Sequence, residues 1–154
     1  MEQAKGKEIR THKLILVEDN YADADLFRAL FAGRDDFRYV LETFSGLAET
    51  MTSLEELGSD KFDLVILDLN LSDSSGLKTF LNFRRRYPDL PCIVLNGYSD
   101  DILEKQLLNR GADAFLVKGE FRPITLVKQV QRILNKDRDK LDLKASLAAL
   151  PDFR

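Results

Sequence analysis

Five short apolar runs recur along the chain, and a longer amphipathic stretch follows each. The runs are Leu14-Ile15-Leu16-Val17, Tyr39-Val40-Leu41, Leu64-Val65-Ile66-Leu67, Cys92-Ile93-Val94-Leu95 and Ala114-Phe115-Leu116-Val117. Four of them are almost unbroken in hydrophobicity and rich in β-branched residues, the pattern of strands buried on both faces of a parallel sheet. The second, from Phe37 to Thr43, is more mixed and suits an edge strand.

The intervening stretches carry apolar residues at helical spacing: Ala24, Phe27 and Phe31; Leu47, Met51 and Leu54; Leu77, Phe80 and Leu81; Leu103 and Leu107; Val127, Val130 and Leu134. Gly58 and Gly111 stand where the second and fourth helices should stop, and Pro88 and Pro91 bracket the entry to the fourth strand. Strands alternating with helices predict an α/β fold, a (βα)₅ doubly wound parallel five-stranded sheet. Right-handed crossovers leave few topologies, and the flavodoxin-like order 2-1-3-4-5 is the expected one.

The expected organisation is a polar lead-in over 1–12, one domain over 13–136, and a charged, amphipathic, helical tail over 137–154. In that tail Leu143, Leu147 and Leu150 follow at helical spacing before Pro151. The tail reads either as an extension of the last helix or as a docking or dimer segment.

Several function classes drop out on composition. A net charge of -3 carries no basic excess for nucleic acid or membrane surfaces. No apolar stretch approaches the roughly 20 residues that cross a bilayer, and Met1 to Lys13 is too polar to be a signal peptide. A cytoplasmic protein that contacts neither nucleic acid nor membrane, a monomer or weak homodimer, is expected. Cys92 is the only cysteine, so no intrachain disulfide and no cysteine-based zinc site can form. His12 is the only histidine and sits in the polar lead-in, where it is expected to be solvated. Any phosphohistidine chemistry would therefore use a partner's histidine.

Chemistry concentrates where the strands should end. Ligands of open α/β sheets bind beyond the carboxyl ends of the strands. Glu18 and Asp19 follow the first run, Asp68 the third, Asn96 the fourth and Lys118 the fifth. Three carboxylates in one crevice repel one another, and a divalent cation relieves that. An oxygen-only donor set favours Mg²⁺ over zinc, and Asn70 could add its backbone carbonyl. Lys118 supplies a positive charge at the same edge. A carboxylate so placed can attack phosphorus and form an aspartyl phosphate.

These segments resemble those of response-regulator receiver domains, the CheY-like single-domain type of two-component signalling. The resemblance rests on Leu14-Ile15-Leu16-Val17-Glu18-Asp19-Asn20, on Leu64 to Leu77 (LVILDLNLSDSSGL) and on Gly111 to Gly119 (GADAFLVKG), in order and spacing across about residues 13 to 134. It implies that Glu18, Asp19, Asp68 and the Asn70 backbone carbonyl hold Mg²⁺. It also implies that Asp68 accepts the phosphoryl group, that Lys118 contacts it, and that Phe115 is the aromatic switch. The implied phosphodonor is a sensor histidine kinase or a histidine phosphotransfer protein. The output would be contact with a downstream protein target, without an output domain and with no enzyme activity beyond the domain's own phosphorylation and dephosphorylation.

The chain departs from that pattern at Asn96, where the family carries Thr or Ser, and at Ser72, in place of a common proline. Asn offers amide donors to a phosphoryl oxygen, but its size and planarity alter the coupling to the switch. This leaves an alternative, a receiver-fold interaction module with impaired or absent switching. A phosphatase with an aspartyl nucleophile would want a second acid two residues after Asp68, where Asn70 stands. No phosphate-binding glycine loop follows the first strand, which argues against a nucleotide-binding domain.

Overall fold

The computed structural model describes residues 10–32, 34 and 37–150. The elements run β1 (Thr11–Val17), α1 (Tyr21–Phe31), β2 (Arg38–Phe44), α2 (Leu47–Leu57), a 3-10 turn (Ser59–Lys61), β3 (Leu64–Asp68), α3 (Leu77–Arg86), β4 (Cys92–Asn96), α4 (Asp101–Asn109), β5 (Ala114–Val117) and α5 (Pro123–Ala148). The five strands are all parallel, in the order β2-β1-β3-β4-β5. This is the doubly wound arrangement expected from the alternation, with the mixed second run on an edge.

The apolar runs of β1, β3 and β4 are buried on both sides because strand side chains alternate between faces. That of β5 lies at the other edge of the sheet and is fully buried only at Ala114, the rest being half-buried. Ile15, Val17, Val65, Leu67, Cys92 and Val94 pack on one face with Leu54, Phe80, Phe83 and Leu107, from α2, α3 and α4. Leu14, Leu16, Leu64, Ile66, Ile93 and Leu95 pack on the other with Phe27, Phe31, Val127 and Val130, from α1 and α5. Burial of each such side chain contributes about 1.5–3 kcal/mol, so the central strands anchor the fold and leave their carboxyl ends as rigid mounts.

Helix ends follow local chemistry. Asn20 caps α1, its side chain accepting from the Asp23 N–H, and Asp100 caps α4 by accepting from the Leu103 N–H. Gly58 ends α2 at φ 92°, a conformation that L side chains rarely adopt.

One feature differs from the expectation. His12 is not a solvated lead-in residue; it lies in β1, paired with Tyr39 of β2. Its ring stacks on Phe37 with centroids 4.6 Å apart, so pairing with the edge strand draws it out of water. The last helix continues to Ala148, well past the sheet. Of the lead-in, residues 1–9 lie outside the described residues, as do 151–154 of the tail. No helix among the described residues is long and apolar enough to cross a membrane.

Candidate functional site

The parallel register brings the strand ends level. Val17 pairs with Leu67, Asp68 with Leu95, and Asn96 with Val117. The residues that follow β1, close β3 and follow β5 therefore meet at one edge. Backbone bonds hold them there: Glu18 N–H donates to the Phe44 carbonyl at 2.9 Å, and Lys118 N–H to the Asn96 carbonyl at 2.8 Å.

One oxygen from each of Glu18, Asp19 and Asp68 lies within 4.8 Å of the others. Glu18 and Asp68 are almost fully buried. Lys118 reaches between them, its Nζ donating to Asp68 Oδ2 at 2.8 Å and to Glu18 Oε2. Asn70 N–H donates to the other Asp68 oxygen, Oδ1, at 2.9 Å. Asn20 N–H donates to Glu18 Oε1.

The acids outnumber the ammonium, and the electrostatics show it. Burial pushes the Glu18 carboxyl up to about 7; its hydrogen bond to Lys118 opposes that, and neighbouring Asp68 adds to it. Burial alone would lower the Lys118 ammonium, but its bonds to Asp68 and Glu18 outweigh that and raise it. Such an oxygen-only cluster, with more carboxylates than cations, has the donor chemistry of a hard divalent ion.

The side chains of Asn96 and Phe115 make other contacts. Asn96 is buried at the same sheet edge, but its Nδ2 donates to the Tyr98 carbonyl at 2.8 Å, along its own loop. Phe115 is half-buried in β5 and packs against the core on the α2–α3–α4 side. Tyr98 is exposed.

Two residues that the strand-end reading did not include join the site, and a third, Asp73, braces the loop beside it. Asp23, in the first turn of α1, puts Oδ2 at 3.4 Å from Lys118 Nζ. Ser72 donates its hydroxyl to Asp19 Oδ2 at 2.8 Å. Asp73 accepts from the Leu47 and Ala48 N–H groups and so caps α2 from the β3–α3 loop; those bonds hold its carboxyl below the usual range. The Asn20 cap places Asp23, but nothing local in the sequence couples 72 to 19 or 73 to 47.

The family described as the response regulator receiver domain matches residues 14–131. The chain belongs to that family. As a receiver domain it is 33% identical over 119 residues to the transcriptional regulatory protein YhcZ of Bacillus subtilis, covering 77% of this chain and 53% of that protein. It is 35% identical over 106 residues to the KDP operon transcriptional regulatory protein KdpE of Escherichia coli, covering 68% of this chain and 44% of that one. The chain thus spans about half the length of these relatives.

Among solved structures, the receiver domain superposes on a CheY-like receiver domain protein of Methanospirillum hungatei with a TM-score of 0.72 at 21% identity, covering 85% of this chain and 99% of that one. For the chemotaxis protein CheY4 of Vibrio cholerae the TM-score is 0.66 at 24% identity, covering 80% of this chain and 99% of that one. Receiver domains are signalling modules rather than enzymes in the usual sense, and they generally bind Mg²⁺ at an acidic site of this kind.

Proposed function

We propose that this receiver domain accepts a phosphoryl group on Asp68 from the phosphohistidine of a sensor histidine kinase or histidine phosphotransfer protein, in the cytoplasm, and signals by contact with a downstream protein. The observation that carries the reading is the Lys118 Nζ, 2.8 Å from Asp68 Oδ2, inside a crevice shared with Glu18 and Asp19. Glu18, Asp19, Asp68 and the Asn70 carbonyl would hold Mg²⁺. When bound, the ion would neutralise charge on the phosphoryl oxygens.

The chain's own groups do the rest. An Asp68 carboxylate oxygen attacks phosphorus; the donor P–N bond breaks and its electron pair returns to the imidazole ring. Lys118 loses its contact with the Asp68 oxygen and is positioned to pair with the phosphoryl oxygens as charge develops there. Asn70 N–H keeps the other carboxylate oxygen oriented.

The second reading is a receiver-fold module that switches weakly, and the Asn96–Tyr98 bond favours it. An amide committed to its own loop must break that bond before it can follow a phosphoryl group and free Phe115 to move.

Incubation with Mg²⁺ and a small acyl phosphate, read by intact mass, tests the first reading. One added phosphoryl group is expected, and none in Asp68→Asn. No labelling with any divalent ion would sink it. Partner affinity with and without beryllofluoride separates the second reading: a large change supports ordinary switching, and equal affinities support the weak switch.

A further inference from the structure

We infer that two copies of this chain pair through the C-terminal part of α5, the two helices antiparallel and each seated in a groove beneath the N-terminal edge of the other's sheet. The first observation is length. Helix α5 has 26 residues, about 39 Å at 1.5 Å per residue. A five-residue strand beside it spans only about 17 Å. The inward stripe of α5, Leu126, Val130, Ile133 and Leu134, is buried on the sheet. The same stripe continues through Leu141, Ala145 and Ala148, where no sheet lies beneath it, and Leu141 is 59% exposed.

The second observation is a groove that opens where the stripe loses its floor. It encloses about 800 Å³, with Phe62, Leu90 and Pro91 at the sheet edge and Leu134 and Leu141 on the helix. That is room for roughly two turns of an inserted α-helix.

The third observation identifies the occupant. Take a two-fold axis at Leu141, perpendicular to the helix, so that each helix faces its mate through this stripe. On one flank Asp137 comes within one residue of the level of Lys144 of the mate; on the other Arg138 comes within two residues of the level of Asp142 of the mate, both inside the reach of long side chains. The two-fold repeats both pairs, as in a self-complementary isologous interface. Burial holds the Asp137 carboxyl above its usual range, so a facing ammonium is a gain there. Ala145 and Ala148 are small enough for the helix axes to come close, and Ala148 of the mate reaches the level of Leu134, at the sheet edge. A parallel pairing fails sterically, because each sheet lies on the stripe side of its own helix.

Sedimentation of the whole chain across a range of concentrations should show a reversible monomer–dimer equilibrium. Leu141→Glu should raise the dissociation constant about a hundredfold. Because Leu141 is exposed, the monomer fold is spared. Asp137→Lys and Lys144→Asp should each raise it about tenfold, and the double variant should recover most of the loss. On mild oxidation Leu141→Cys should form a disulfide-linked dimer and Leu147→Cys should not; Cys92 is fully buried and stays silent.

A chain that is monomeric at every concentration overturns the inference. So does a dimer indifferent to Leu141→Glu, and so does cross-linking through Leu147→Cys in place of Leu141→Cys, which would move the contact to the outer leucines Leu143, Leu147 and Leu150.

Discussion

The two edges of the sheet use the same residue type to opposite ends. At the N-terminal edge Asp63 and Asp113 are staples. Asp63 accepts from the Lys13 N–H at 2.9 Å and from Arg10 at 2.8 Å. Asp113 accepts from the Cys92 N–H at 2.8 Å and lies 3.7 Å from Arg84. Each of these acids ties the start of one strand to a neighbour and has a guanidinium close by. At the C-terminal edge Glu18, Asp23 and Asp68 crowd around a single ammonium, and Asp19 has the Ser72 hydroxyl. A carboxylate with its own donors holds the fold together. A carboxylate short of cations has the donor chemistry for a divalent ion, and under the proposed function that surplus is what sets the C-terminal edge apart.

Substitutions at the two edges should separate those roles. The largest effect is expected at the crowded edge. Lys118→Ala removes the cation that contacts Asp68 among the described residues and, under the proposed function, should slow labelling by an acyl phosphate about a hundredfold. A rate within a few-fold of wild type would mean that Lys118 is only a counter-ion. At the staple edge the order inverts. Asp113→Ala strands the Cys92 N–H and should cost about 1–3 kcal/mol in denaturant unfolding, with the labelling rate unchanged. If Asp113→Ala slowed labelling as much as Lys118→Ala, the division between the edges would break down.

Legibility in the sequence follows the same division. The sheet was readable because a buried parallel strand must be apolar on both faces, so Leu14–Val17 and Leu64–Leu67 announce themselves. Placing Glu18, Asp19, Asp68 and Lys118 at one edge needed only the rule that strand ends converge. Contacts set by loop path rather than by periodicity were not readable. Asp73 capping α2 joins positions 26 residues apart, and Ser72 meeting Asp19 joins positions 53 apart. The orientation of Asn96 depends on how the Gly97-Tyr98 turn folds back, which no pattern encodes. His12 was misjudged because polar neighbours hide a strand start whose partners are Tyr39 of the edge strand and Phe37 just before it.

That misjudged residue gives the smallest and most selective test of the staple edge. His12 is stacked on Phe37, and burial lowers its pKa from 6.5 despite the nearby Asp63, with Arg10 and Arg138 adding to the lowering. A histidine held below its unfolded value favours the neutral ring in the folded state. Its contribution to stability is therefore complete above about pH 6.5 and is lost as pH falls through the folded value. Melting temperature should decline across that window. In His12→Phe, which keeps an aromatic ring against Phe37 but cannot take a proton, part of that decline should disappear while phosphoryl labelling is unaffected. Superimposable pH profiles for the two proteins would show that the ring is protonated as easily in the fold as out of it. The N-terminal edge would then be more open to water than its stapled carboxylates imply.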